Sequence, residues 1–106
     1  GEFSAPEMLA RGEIDACLFV GSETTSEFPP AARERLGSIP VIALESPMTS
    51  STPPPAVRFT TAVYGVHRPG TAYRMDEVPV PLQVLLPTDY PSDGEVLRRL
   101  LTEVRR

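Results

Sequence analysis

The chain has 106 residues, with ten arginines, no lysine and fourteen acids for a formal charge of −4. That length fits one domain at most, and a lone cysteine excludes an intramolecular disulfide framework and any cysteine-based metal knuckle. No apolar run reaches the roughly 18 residues of a membrane span, no basic and apolar leader opens the chain, and no Lys/Arg cluster supplies the electrostatic footprint of nucleic-acid binding. A cytoplasmic chain without nucleic-acid or membrane partners is therefore expected. Leu, Ile, Val and Phe fill 27 of the 106 positions, above the roughly 20% below which chains stay disordered, so a core is expected.

Charge and proline are both unevenly spread. Residues 1–53 carry eight acids and three arginines (8 − 3, net −5), whereas 54–106 carry six acids and seven arginines (net +1). Nine of the thirteen prolines lie between Pro47 and Pro91, which nearly excludes regular helix there.

In chain order, Ser4-Ala-Pro-Glu7 reads as a capping box with proline in the first turn, opening a helix over about 5–11 that Gly12 closes. Ile14-Asp-Ala-Cys-Leu-Phe-Val20 is apolar after its one acid and ends at Gly21, as a parallel strand buried on both faces would. Pro29-Pro30 starts and Gly37 stops a helix of about two turns. Ile39-Pro-Val-Ile-Ala-Leu44 then gives a second buried strand over 39–44. Strand, helix and strand over 14–44 predict a parallel, right-handed crossover, half of a doubly wound sheet.

Glu45 to Pro55 reads as loop, and Val57-Arg-Phe-Thr-Thr-Ala-Val63 as a third strand. Gly70-Thr-Ala-Tyr-Arg-Met75 turns at Asp76-Glu77 into Val78-Pro-Val-Pro-Leu82, whose prolines confine that arm to an edge. Ser92-Asp-Gly-Glu95 is a second capping box. It opens a helix over about 93–105 with Val96, Leu97, Leu100, Leu101 and Val104 on one face, expected to cover the sheet through Val96, Leu97, Leu100 and Leu101. The fold class so predicted is α/β: a Rossmann-like parallel sheet flanked by helices, with a Pro-rich extended arm or hairpin and a C-terminal helix. A single domain is expected, divided into a strand-helix-strand half (1–63), an extended arm (64–91) whose Pro-rich part, 78–91, docks on a partner subunit, and the terminal helix (92–106).

No catalytic constellation and no metal site is visible. His67, the sole histidine, sits in a turn-like stretch without a nucleophile signature and reads as a solvated loop residue. Cys17 reads as a buried strand thiol, and Asp76-Glu77 as solvated turn acids. Ligands of open α/β sheets bind outside the carboxyl ends of the strands, here Gly21-Ser-Glu-Thr-Thr-Ser26 and Glu45-Ser-Pro-Met-Thr-Ser-Ser-Thr52. Gly21 permits close backbone approach, Ser22, Thr24 and Thr25 offer hydroxyls, and Glu45 ends the second strand where an acid commonly accepts from ribose. Against that, Glu23 and Glu27 put negative charge where a diphosphate would lie, with no cation between Gly12 and Ala32. A nucleotide-binding loop and a plain solvated loop both remain open on residue chemistry.

Gly12-Glu-Ile-Asp-Ala-Cys-Leu-Phe-Val-Gly-Ser22, Ile39-Pro-Val-Ile-Ala-Leu-Glu45 and Gly70-Thr-Ala-Tyr-Arg-Met-Asp76 with Val78-Pro-Val80 resemble the C-terminal part of the B subunit of formylmethanofuran dehydrogenase, of the molybdopterin oxidoreductase superfamily. The resemblance implies a domain of an enzyme that reduces carbon dioxide or oxidises a formyl group on a furan-type one-carbon carrier. Its tungsten or molybdenum is held by a pterin guanine dinucleotide. Gly21, Ser22, Thr24 and Glu45 match the cofactor-facing positions, and the partners implied are other subunits of the complex. Where the superfamily commonly has Gly-Ser-Asn-Pro and Asp-Pro, this chain has Gly-Ser-Glu-Thr and Glu-Ser-Pro. The metal-ligating and iron–sulfur residues of such an enzyme are not in this chain, so no redox catalysis and no cofactor are expected of the chain by itself. The alternative implied is a cofactor-free structural domain of a bacterial formyltransferase/hydrolase complex; an unrelated small interaction module is the third.

Overall fold

Proline and glycine punctuate this chain into short elements, as the computed structural model, which describes residues 4–21, 23–49 and 54–106, shows. The chain is mixed α/β and divides into two compact units, residues 1–59 and 60–106.

In the first unit, α1 (Ala5–Ala10) precedes β1 (Cys17–Val20), a 3₁₀ turn over Glu23–Glu27, α2 (Pro30–Leu36), β2 (Val41–Glu45) and β3 (Val57–Thr60), which ends at the unit boundary. The strands form a parallel sheet in the order β1-β2-β3. Cys17 stands opposite Val41 and Val20 opposite Leu44, and the ladder is prolonged by Cys17 N–H to Pro40 O (3.0 Å) and Gly21 N–H to Leu44 O (2.9 Å).

Both helices contribute to one cluster. Leu9, Ala32 and Leu36 are buried, with Ile14, Cys17, Phe19, Phe28, Ile39 and Val41 packed on them. Side chains alternate across a strand, so Cys17 and Phe19 of β1 face this core while Leu18 and Val20 face away, 51% and 49% exposed. The expectation of a first strand buried on both faces over 14–20 is thus corrected: the strand is shorter, and only one of its faces is covered, because α1 and α2 pack on the same side. Only the central strand, β2, has Ala43, Leu44 and Glu45 all buried. The second strand runs to 45 and starts at 41, since Pro40 cannot donate to the ladder; the third stops at Thr60, short of 63.

Helix α2 begins and ends as the prolines and Gly37 dictate, and α1 ends one residue earlier than expected. Beyond the α1 cap, Gly12 takes φ 75°, the left-handed conformation of a C′ glycine. Ser4 makes no side-chain cap bond, so that capping box stays open, whereas the Ser92 hydroxyl accepts from Glu95 N–H at 3.2 Å.

In the second unit, β4 (Gly70–Tyr73) and β5 (Pro79–Leu82) form a two-stranded antiparallel hairpin, so the extended arm is realised as the hairpin alternative. Arg74 N–H donates to Val78 O (3.0 Å) and Glu77 N–H to Arg74 O (2.9 Å), with Glu77 at φ 66°, a three-residue hairpin loop whose last position ordinarily takes glycine. Chain leading into and out of the hairpin is tied together by Leu85 and Leu86 N–H to Val66 O, Arg68 to Tyr90 O, and Ala62 N–H to Pro91 O.

The terminal helix, α3 (Asp93–Val104), buries Val96 alone. Leu97 and Leu100 are half-buried, and Leu101 and Val104 are 48% and 82% exposed. The five-residue apolar face is real as a spacing, but only its first turns are covered, and Leu101 is not among the buried residues as expected.

Burial ranks the leucines for mutation. Leu9→Ala is expected to cost about 2–5 kcal/mol by denaturant unfolding, because Leu9 is fully enclosed and a cavity would remain. Leu101→Ala should change stability by no more than about 0.5 kcal/mol.

Candidate functional site

Because β1 and β2 are parallel and in register, their carboxyl ends lie side by side and the segments that follow them leave the same end of the sheet. The first begins at Gly21, exposed, with φ 73°; a side chain there would be strained, so glycine is what lets the chain turn sharply out of β1. The 3₁₀ turn over Glu23–Glu27 follows, closed by Phe28 N–H to Thr25 O at 3.2 Å. Phe28 anchors the segment to the sheet, its ring 6.2 Å from that of Phe19. Thr25 is buried, so it presents no open surface to a ligand. The second segment is pinned by Thr49 N–H to Ser46 O (3.1 Å) and a 2.8 Å contact between the two hydroxyls.

The structure brings Gly21 and Glu45 to this end of the sheet; Ser22 and the side chain of Thr24 lie outside the described residues. Glu45 is not an open acid. Its carboxylate is fully enclosed, and its Oε2 stands 2.8 Å from Nε of Arg58, whose side chain is 42% exposed. A buried carboxylate needs such a partner, since an unpaired charge away from water is strongly unfavourable.

Arg58 is the residue that sequence reasoning missed. No cation lies within the first segment, yet β3, thirteen residues on from Glu45, carries one to the end of β2. The signal was present: an arginine second in an otherwise apolar and hydroxyl strand is a cation held by the fold. The contact is an ion pair and not a geometrically formed hydrogen bond, and it places a partly solvated positive charge against the buried Glu45 at this end of the sheet.

Other chemistry-bearing residues are spoken for. His67 is half-buried, and its Nδ1 accepts the Val63 N–H at 3.0 Å, so this imidazole carries its proton on Nε2 when neutral and caps a turn, where a solvated loop histidine was expected. Asp76 pairs with Arg74 at 2.8 Å, both well exposed. Arg11 and Glu13 form an exposed pair at 3.0 Å that lowers the Glu13 pKa through its hydrogen bond to Arg11 and raises that of Arg11. Cys17 is half-buried, and desolvation pushes its thiol above the ordinary range. Among the described residues no group of three His, Cys, Asp or Glu side chains could hold a metal, and no helix is long and apolar enough to cross a membrane.

No family model matches the chain. It is similar over 99% of its length to the B subunit of the tungsten-containing formylmethanofuran dehydrogenase 2 of Methanocaldococcus jannaschii, at 34% identity, and over 98% to that of Methanococcus maripaludis, at 31%. The chain spans about a quarter of the length of these curated relatives, 25% and 24%.

Two measurements check the site. Arg58→Met is expected to lower stability by about 2 kcal/mol, less than the roughly 3–5 of a wholly buried pair because the arginine is partly solvated. Adding Glu45→Gln should recover part of that loss in a double-mutant cycle. Alkylation of Cys17 should be slower in the native chain at pH 8 than in denaturant, because thiolate is the nucleophile and burial retains the proton. The linked stability is fully present below the unfolded-state pKa and is lost as pH rises through the higher folded value.

Proposed function

The chain is homologous to the C-terminal domain of the B subunit of formylmethanofuran dehydrogenase, and from that premise we propose that it works as a non-catalytic wall of the cofactor site in such a protein. The observation that carries the reading is the juxtaposition at the carboxyl end of the sheet of Gly21, in a left-handed turn, with the Arg58–Glu45 ion pair.

The residues present fit a phosphate-bearing group at two points. Gly21 offers backbone without a side chain in the way, and Arg58 offers guanidinium hydrogens held by a buried carboxylate. Gly21, Ser22 and Thr24 are the proposed contacts with a pterin guanine dinucleotide, and Glu45 serves by holding Arg58. When bound, that cofactor would supply its tungsten or molybdenum for the two-electron interconversion of carbon dioxide and a formyl group on a furan-type carrier. This chain's own part is to position and to offset charge: Arg58 supplies a cation next to Glu45, and Phe28 keeps the first segment on the sheet. The three-stranded sheet is, on the same reading, one part of a Rossmann-like sheet that the remaining three-quarters of the polypeptide completes, and the other subunits of the complex are its partners.

A second reading, a structural domain of a one-carbon complex without cofactor, is favoured by one observation, that the Glu45 carboxylate is already engaged within the fold. Metal and pterin analysis of the purified complex separates the two. The proposed role expects tungsten or molybdenum with pterin in the wild-type complex and a several-fold loss in Gly21→Val. Gly12→Val, which carries similar left-handed strain at φ 75° but lies between α1 and the start of β1, should keep its cofactor. A complex that is assembled and active in one-carbon transfer without either metal or pterin would establish the structural reading instead.

A further inference from the structure

The hairpin of the second unit has two edges that differ in kind. Thr71 stands opposite Pro81, Ala72 opposite Val80 and Tyr73 opposite Pro79. Arg74 N–H donates to Val78 O, which makes 74 and 78 a hydrogen-bonded pair. Antiparallel pairs alternate between bonded and non-bonded, so Ala72 with Val80 and Gly70 with Leu82 are bonded, while the backbone groups of Thr71, Tyr73, Pro79 and Pro81 point outward from their strands. Along β5 the outward donors are therefore missing, since both positions are proline, and a strand cannot dock on that side. Along β4 the outward N–H and C=O of Thr71 and Tyr73 are complete, and Gly70-Thr-Ala-Tyr73 contains no proline, charge or bulge to defend the edge.

This hairpin is also short of cover. Every residue from 71 to 80 is exposed, including Tyr73 at 72% and Val78 and Val80 at 42% and 37%. An isolated two-stranded hairpin is marginal in water, and apolar side chains on both of its faces mark a surface that another segment covers.

We infer that β4 is the acceptor edge for a strand added from elsewhere in the same polypeptide. That source follows from length: the matched segment is a quarter of each relative, so three-quarters of such a chain is tethered to it. Tethering gives an effective concentration on the order of millimolar, which a free partner rarely reaches. The added segment is extended, apolar on the side that meets Tyr73, and free of proline at the positions that face Thr71 and Tyr73. The inference rests on the homology to the dehydrogenase and is independent of the cofactor reading; loss of metal or pterin would leave it untouched.

Residue-resolved amide exchange in the assembled complex tests it, with Ala72, bonded within the hairpin, as internal reference. Thr71 and Tyr73 are expected to exchange within about tenfold of Ala72 and about 100-fold slower than open chain. Exchange of Thr71 and Tyr73 near the open-chain rate, whether or not Ala72 is protected, overturns the inference. With the photoreactive residue p-benzoylphenylalanine incorporated in place of Tyr73, the complex should form a cross-link to a peptide of the same polypeptide outside residues 1–106. Cross-links to a different subunit or to a second copy, or none at all, overturn the assigned source.

Discussion

Two short helices press on a single side of a three-stranded parallel sheet, and the rest of the first unit follows from that one-sided core. Leu9, Ala32 and Leu36 enclose the inner face of β1 through Cys17 and Phe19. Every second residue of β1 is then left on the other face with half of its surface in water. Parallel sheets are ordinarily covered on both faces because their crossovers lay helices there. Here the two helices available share one face, so the apolar run Cys17–Val20 carries more hydrophobic surface than the unit itself can bury.

The same sheet decides what can happen at its carboxyl end. Parallel pairing in register delivers the segments after β1 and β2 to one place, and the third strand brings Arg58 to Glu45. A carboxylate sealed from water and a partly exposed arginine form an ion pair in which the buried partner holds the exposed one. Charge placed in this way loses little side-chain entropy on meeting an anion, which a freely moving surface arginine would lose in full. The acidic character of the first half of the chain is in this way locally offset by a cation from the second.

In the second unit, proline placement does the work that packing does in the first. Pro79 and Pro81 occupy the outward positions of β5, where a missing donor costs the hairpin nothing and closes that edge to further strands. The turn keeps Glu77 in a left-handed conformation without glycine's freedom, a modest strain of the order of 1 kcal/mol. Burial along α3 fades from Val96 outward, so the terminal helix, like the hairpin, presents more apolar surface than it encloses.

What the sequence determined by itself was local. Pro30 and Gly37 bound α2, Ser92 caps α3, Gly12 ends α1, and the two apolar runs and the proline-rich arm each became strands, because these signals act within a few residues and owe little to context. The parallel sense of the sheet also followed, since two apolar strands joined through one helix are ordinarily parallel. Only the tertiary structure decided that both helices cover one face, that Glu45 is sealed and bound to Arg58, that His67 caps a turn, and that Leu101 stays exposed. Each of these depends on which surfaces meet across long separations in sequence. Periodicity states that a face is apolar; it does not state what, if anything, covers it.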